Sequence, residues 1–206
     1  MDKYLVVGAS GQVGSCIMKQ LAKRGLEAVG TYHTRERPGL VQLRLGDEGA
    51  AYRLMGLLKP KIIFLSAALT NVDYCEEHRG ESFRYNVAGP EIFARFARTV
   101  GSKLVYISTD YVFDGADGPY YETENPSPIS TFGEHKTASE FIVGGLPDAL
   151  IARTTWVYSH EQPGPGKNFA QRLVEGLSSQ SEIKAPYDQF GTPTYAPDLA
   201  ERLVAL

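Results

Sequence analysis

The sequence has few cysteines and no long apolar run, and both absences exclude whole classes of protein. Cys16 and Cys75 are the only cysteines among 206 residues, too few for a disulfide framework and at no metal-ligand spacing. The four histidines also include no pair at metal-ligand spacing. No apolar run approaches the roughly 20 residues that a membrane span needs. We therefore expect two free thiols in a reducing cytoplasm, and no metal site.

Charge of one sign is not in large excess either. Lys and Arg number 21 and Asp and Glu 24, for a net charge of -3, which gives no reason to expect nucleic acid or a membrane as a partner. The first residues enter an apolar strand pattern at once, so we do not expect a signal peptide. With 43% apolar residues, the chain is expected to form one soluble domain, residues 1–206.

Short apolar segments alternate with segments of helical periodicity. The predicted strands cover residues 4–7, 28–32, 40–45, 61–66, 103–108 and 149–154, and the predicted helices cover residues 12–24, 50–58, 82–100, 130–143, 168–177 and 197–206. Such alternation predicts an α/β fold with a doubly wound, Rossmann-like parallel sheet. Two Pro- and Gly-rich loops, 115–128 and 161–166, interrupt the pattern.

A glycine-rich turn, Gly8-Ala9-Ser10-Gly11-Gln12-Val13-Gly14, joins the first strand to the first helix. Glycines allow the backbone to approach a pyrophosphate, and the helix N-terminus supplies free N–H groups and a favourable dipole. The spacing differs from the Gly-x-Gly-x-x-Gly of classical dinucleotide folds. Because the turn follows the first strand directly, we expect a cofactor site rather than a turn that serves packing alone.

The end of the second strand bears on which cofactor this is. An NAD-binding strand ends with an acid that binds the ribose 2′-hydroxyl, but here no acid sits at the strand tip at Tyr32, and Arg35 and Arg37 follow. Arginine suits a 2′-phosphate. NADP(H) is therefore favoured, although NAD(H) remains possible and the arginines could be part of a solvated loop.

Small residues, Ser66-Ala67-Ala68, end the fourth strand, and they let a ligand lie against the backbone there. We expect Ala67 and Ala68 to contact the cofactor. Asn71 and Asn86, taken singly, are typical of turns or helix caps. Trp156 follows the last strand. Its ring is expected either to form one wall of a site for a sugar or base or to serve packing alone.

Thr109 ends the fifth strand, where it could hydrogen-bond a substrate carbonyl. Phe132 and Lys136 share a helix face, since they are four residues apart. Their spacing resembles the Tyr-x-x-x-Lys pair of short-chain dehydrogenases, in which the tyrosine donates a proton and the lysine lowers the pKa of that tyrosine and binds the nicotinamide ribose. The chain has phenylalanine in place of that proton donor.

With these residues, the chain resembles the extended short-chain dehydrogenase/reductase superfamily and, within it, the dTDP-4-dehydrorhamnose reductase group, which includes the methionine adenosyltransferase β-subunit. The most specific segments are Ser108 to Gly115 and Asp188 to Leu199. The resemblance runs nearly from end to end of the chain. Its other specific segments are Gly8 to Gly14, Ala67 to Asp73, Asn86 to Gly89 and Arg153 to Tyr158.

The resemblance implies NADPH-dependent reduction of a 4-keto sugar linked to a nucleoside diphosphate. It implies a carbonyl-side role for Thr109, a ribose role for Lys136, and a position near the sugar nucleotide for Val112, Phe113 and Trp156. Residues 155–206 correspond to the start of the substrate-binding part, which we expect to be reduced or absent, leaving the substrate side open.

Two functions stay open at this stage. The first is a nucleotide-sugar reductase impaired by Phe132. The second is a non-catalytic NADP-binding regulatory subunit that resembles the methionine adenosyltransferase β-subunit and acts on a protein partner. A homodimer is also possible.

Overall fold

A computed structural model gives the fold of residues 2–34, 36–160, 168–179, 182 and 187–206. One six-stranded sheet forms its centre, and all of its strand pairs are parallel. The strands are β1 (Lys3–Val7), β2 (Glu27–Tyr32), β3 (Leu40–Gln42), β4 (Ile62–Leu65), β5 (Lys103–Thr109) and β6 (Ala149–Thr154). The predicted strand at 40–45 is thus shorter, because the chain leaves the sheet after Leu43 donates its N–H to Tyr32.

The strand order is β3-β2-β1-β4-β5-β6, which confirms the predicted doubly wound parallel sheet. The chain moves outward from β1 in one direction, then returns to pair β4 with the other side of β1. This reversal opens a crevice at the carboxyl ends of β1 and β4, which is where open α/β sheets bind ligands. The strand order alone therefore predicts where a ligand site lies.

Eight α-helices lie on the described part of the chain. They are α1 (Gln12–Lys23), α2 (Glu48–Leu58), α3 (Val72–Glu77), α4 (Arg79–Phe83), α5 (Gly89–Val100), α6 (Thr131–Gly144), α7 (Phe169–Ser178) and α8 (Ala196–Ala205). Residues from α2, α5 and α6 form a core on one face of the sheet, and residues from α1 and α8 form a core on the other. Since both faces are covered, the strands are apolar on both sides, as buried parallel strands must be.

The helical segment before α5 differs from the prediction in one respect. Arg84–Ala88 is a π-helical turn, which links α4 to α5 without a break. Asn86 lies inside this turn and is not a cap: its side chain accepts from the N–H of Leu69 and donates to the carbonyl of the same residue, both at 2.9 Å. The π turn thus directs Asn86 onto the loop that follows β4. Such turns often occur at functional sites.

The last helix is an integral part of the fold. Ala200 and Leu203 of α8 are buried against α1, and Arg24 donates to the carbonyls of Glu201 and Val204. The assignment of residues 155–206 to a substrate-binding part stays a prediction, and the loop at 161–166 lies outside the described residues. In the part of the chain that the structure describes, no helix is both long enough and apolar enough to span a membrane.

Candidate active site

A cleft of about 800 Å³ lies at the carboxyl ends of the central strands. Four segments line most of it: the turn after β1, the end of β4 with the residues that follow, the end of β5, and one face of α6. Its volume is in the range of ligand and cofactor sites. The cleft therefore occupies the switch point that the strand order defines.

The glycine-rich turn forms one wall, and its geometry requires glycine at two positions. Gly8 has φ +88°, and a Cβ on Gly14 would lie 2.2 Å from the Gly8 carbonyl oxygen. The N–H of Gly8 donates to the hydroxyl of buried Thr31 on β2 at 3.2 Å. This turn is therefore fixed to the sheet and packed directly against the start of α1.

The N-terminus of α1 is open to the cleft. Gly11 occupies the N-cap position, has no side chain to cap the helix, and lines the cleft with Gln12 and Val13. The first N–H groups of a helix have no partner within the helix, and the helix dipole adds positive potential there. The turn thus offers backbone donors to an anion.

Two residues that line the cleft each carry a buried polar atom with no hydrogen-bond partner among the described residues: Nε2 of Gln12 and Oγ of Ser108. Buried polar groups in folded proteins are almost always satisfied, so an unpaired polar atom on a cleft residue indicates a partner that a ligand can supply. A dinucleotide, with its phosphate and hydroxyl oxygens, supplies acceptors for such donors. The residues present therefore fit the nicotinamide cofactor that the fold implies.

Thr109 ends β5 with its hydroxyl held in place. The hydroxyl donates to Oδ1 of Asp110 at 3.0 Å and accepts from the N–H of Tyr111 at 3.2 Å. The other carboxylate oxygen of Asp110 accepts from the Thr155 hydroxyl. Asp110 therefore orients Thr109 and joins it to the chain that follows β6.

Lys136 lines the cleft and has a strongly lowered pKa. Its ammonium group is buried, donates to the carbonyl of Ile107 at 2.7 Å, and lies 4.0 Å from the ring centroid of Tyr106. Burial lowers the pKa of Lys136 to about 7, and the carboxylate of Glu140 opposes this shift. A perturbed lysine in a cleft is typical of a functional site.

Phe132 lies one helical turn before Lys136 and lines the same cleft. Its ring meets Tyr111 edge-on, with 5.8 Å between ring centroids. The next residue, Gly133, packs directly on the turn after β5, since a Cβ there would lie 2.1 Å from the Tyr111 carbonyl oxygen. This contact places the Phe132–Lys136 face of α6 beside Thr109.

Comparisons with known proteins identify the family. The profile described as the RmlD substrate binding domain matches residues 2–206. The chain belongs to this family. Its membership confirms the resemblance to the extended short-chain dehydrogenases and to the dTDP-4-dehydrorhamnose reductase group.

Three relatives of this RmlD-type chain illustrate the likeness. The dTDP-4-dehydrorhamnose reductase of Mycobacterium tuberculosis is 32% identical over 211 residues, which cover 100% of this chain and 66% of the relative. A Clostridium acetobutylicum dTDP-4-dehydrorhamnose reductase structure has TM-score 0.86 at 36% identity, covering 98% of this chain and 69% of that one. The Bacillus anthracis reductase, solved with NADP, has TM-score 0.87 at 30% identity, covering 99% and 69%. The chain thus spans about two thirds of the length of these relatives.

Most of the predicted site residues of this RmlD-type chain meet in the cleft. It is lined by Gly8, Ser10, Gly11, Gln12, Val13, Gly14, Ala67, Ala68, Thr109, Phe132, Lys136 and Trp156. Val112 and Phe113 do not line it, because Val112 turns into the core while Phe113 stacks on Tyr120 with 4.4 Å between centroids. Arg35 lies outside the described residues.

Trp156 has an unusual backbone for a large side chain. Its φ is +40°, a left-handed conformation that is costly for a non-glycine residue. The ring is 39% exposed, lies against the backbone of Gly191, and is 6.1 Å from the Phe169 ring. Strain of this kind is retained where the position of a side chain matters, so Trp156 stays a substrate-side candidate.

Cleft residues such as Thr31 and Tyr85 were not predicted from the sequence, because they lie in an apolar strand and a helical segment. Thr31 and Tyr85 depend on contacts between distant segments, for which the local pattern gives no signal.

Proposed function

We propose that this chain is a reductase of a nucleotide-linked 4-keto sugar that uses NADPH and is impaired by Phe132. The observation that carries the proposal is the convergence of Thr109, Phe132 and Lys136 on one cleft, beside a turn suited to a pyrophosphate. The family relatives named as dTDP-4-dehydrorhamnose reductases, one solved with NADP, support the reaction class and the cofactor.

Each segment of the cleft has a role in this proposal. The glycine turn and the N-terminus of α1 hold the pyrophosphate through N–H groups and the helix dipole. Ala67 and Ala68 leave room for the dinucleotide against the backbone, and Lys136 binds its nicotinamide ribose. When bound, the cofactor supplies the hydride that reduces the sugar carbonyl.

The hydroxyl of Thr109 would hold the substrate carbonyl by turning its one proton from Asp110 to the carbonyl oxygen. Reduction also needs a proton on the carbonyl oxygen, and a positioned acid contributes about 10²–10⁴-fold to such a step. Phe132 occupies the place from which the family tyrosine would donate, but a phenyl ring has no proton to give. Binding and orientation are thus retained while the proton donor is missing.

The test is Phe132→Tyr. We expect NADPH oxidation in the presence of dTDP-4-dehydrorhamnose to rise by about 10²–10⁴-fold, because the new hydroxyl faces Thr109 and the substrate carbonyl. Phe132→Leu is the matched control and should show no gain, since it changes the packing without adding an acid. NADPH affinity should be the same in all three proteins. An inactive Phe132→Tyr that binds NADPH normally would contradict the reductase proposal.

A second candidate is a non-catalytic NADP-binding subunit that regulates a partner, as implied by the resemblance to the methionine adenosyltransferase β-subunit. The same observation favours it, since Phe132 lacks an acidic group while the predicted cofactor residues of the glycine turn, with Ala67, Ala68 and Lys136, line the cleft. The Phe132→Tyr assay separates the two. An inert tyrosine variant with unchanged NADPH binding is the outcome that a regulatory role predicts.

A further inference from the structure

A second cavity, of about 440 Å³, adjoins the cleft at the carboxyl ends of β2 and β3. It is lined by His33, Thr34, Gln42, Arg44, Asp47 and Ala50, and His33 also lines the main cleft. Most of these side chains can donate hydrogen bonds. Asp47 is the only acid among them, and it is engaged as the N-cap of α2, where it accepts from the N–H of Ala50 at 2.9 Å.

Arg44 lines the second cavity and is held by a residue of the main cleft. Its Nε donates to the hydroxyl of Tyr85 at 2.9 Å, and its guanidinium carbon lies 5.8 Å from the centroid of the same ring. Tyr85 is buried and lines the main cleft, and the ring of His33 lies 5.8 Å from it. Tyr85 thus fixes the arginine from the cleft side.

The bond to Tyr85 uses only Nε of the guanidinium group. Within the described residues, no acceptor or carboxylate pairs with the two terminal amino groups of Arg44. A guanidinium group fixed at one nitrogen and open at two others matches the bidentate geometry by which arginine binds phosphate.

We propose that Arg44 binds the 2′-phosphate of NADP(H) and makes this chain selective for it over NAD(H). The inference rests on the proposed function, because it takes the main cleft to be the dinucleotide site. A dinucleotide whose pyrophosphate lies at the α1 N-terminus brings its adenosine ribose to the end of β2. There no acid ends β2, and the one acid of the cavity, Asp47, caps α2 through Oδ1, whereas Arg44 keeps two nitrogens open to a phosphate.

This assignment differs from the prediction for Arg35 and Arg37, of which Arg35 lies outside the described residues. Arg37 is described and lines neither cavity. Arg44 comes from the other side, two residues beyond β3, and reaches the same place because β2 and β3 are parallel neighbours whose carboxyl ends meet at one edge.

An alternative role for Arg44 is to stack on the adenine ring. Stacking would serve both cofactors equally, since NAD and NADP share the base. A phosphate contact would serve NADP alone. The ratio of the two affinities therefore decides between the roles, and it needs no turnover of substrate.

The experiment is calorimetric titration of NADP⁺, NAD⁺, adenosine 2′,5′-bisphosphate and 5′-AMP into wild type, Arg44→Ala, Arg44→Lys and Arg37→Ala. We expect Arg44→Ala to weaken NADP⁺ and the bisphosphate by about 10- to 100-fold and to change NAD⁺ and 5′-AMP by less than about 3-fold. Arg44→Lys should show an intermediate loss of NADP⁺ affinity, because lysine keeps the charge but not the bidentate geometry of the guanidinium group. Arg37→Ala, which removes the same charge nearby, should bind as wild type does.

Three results would overturn the assignment: equal losses for NADP⁺ and NAD⁺ in Arg44→Ala, a loss in Arg37→Ala as large as that in Arg44→Ala, or no preference for NADP⁺ in wild type. None of these contradicts a reductase, which the Phe132→Tyr assay tests separately. Arg44→Lys keeps the test decisive if Arg44→Ala folds poorly, since an unchanged NADP⁺ preference in it would also count against the bidentate contact.

Discussion

Lys136 is a buried cation whose ammonium group has one carbonyl and one aromatic face as partners. Among the charged side chains that the structure describes, only Glu140 is buried as Lys136 is. A buried ammonium without a close carboxylate partner is costly. Burial lowers its pKa to about 7, so the folded state releases this proton more readily than the unfolded state does. In the proposed reductase, the unfavourable burial of Lys136 is retained because the side chain binds the nicotinamide ribose.

Stability should therefore depend on pH through Lys136. Its pKa is about 7 in the folded state and 10.5 ordinarily, so between these values the unfolded state binds more protons, and the free energy of unfolding should rise with pH. Urea unfolding from pH 7 to about pH 9.5 measures this slope. Lys136→Met should reduce the slope. Equal slopes in wild type and Lys136→Met would contradict the burial account. The measured pH range ends at that value because burial also raises the pKa of Tyr106. At higher pH the ionisation of this tyrosine in the unfolded state makes the free energy of unfolding fall as the pH rises.

At the level of single residues, the sequence predicted part of the site well. Phe132 and Lys136 were identified because their spacing resembles the Tyr-x-x-x-Lys pair of short-chain dehydrogenases, and four residues on a helix place both on one face. Arg44 was not identified, because its role depends on Tyr85, which is 41 residues away in the chain. Local patterns carry no information on such a pair.

Among the elements, helix α6 decides how the site is assembled. It begins at Thr131, with Ser130 as N-cap accepting from the N–H of Gly133 at 3.1 Å. The helix carries both Phe132 and Lys136, and it meets the turn after β5 through Gly133. A shift of α6 would move both side chains away from Thr109, so this contact links helix packing to the geometry of the cleft.

We expect Gly133→Ala to destabilise the protein by about 1–3 kcal/mol, because the added Cβ overlaps the Tyr111 carbonyl and the backbone must shift. Gly144→Ala is the matched control on the same helix, since its Cβ would meet nothing closer than 3.8 Å. That change should be neutral or mildly stabilising. Chemical denaturation of both variants measures the difference. Equal stabilities would show that α6 is not held by this contact.

The prediction of elements from sequence succeeded where burial made the pattern simple. Strands such as β1 and β5 are apolar on both faces, so they were predicted nearly to the residue. The strand at β3 was predicted too long, because Leu43 and Leu45 continue the apolar pattern after the chain has left the sheet and enter the core. The π turn at Arg84–Ala88 could not be predicted, since it depends on the contact of Asn86 with the loop after β4.

At the scale of the whole molecule, the sheet order and the two helical layers place all the proposed cofactor contacts at one edge. The glycine turn follows β1, Ala67 and Ala68 follow β4, and Arg44 follows β3. The alternation of strands and helices was enough to predict this architecture. It could not predict how closely the turn, α6 and the adenosine side would approach one another, because that depends on long-range packing.

The central claim is that the cleft at this edge binds a dinucleotide through the glycine turn. Titration of NADPH into wild type, Gly11→Glu and Gly56→Glu tests it most directly. Gly11 lines the cleft at the N-cap of α1, while Gly56 lies on the exposed side of α2 with nothing within 4 Å of a Cβ. We expect wild type and Gly56→Glu to bind NADPH equally well, and Gly11→Glu to bind at least about 100-fold more weakly because its carboxylate repels the pyrophosphate. Undiminished binding in a folded Gly11→Glu, or no binding in wild type, would contradict the account.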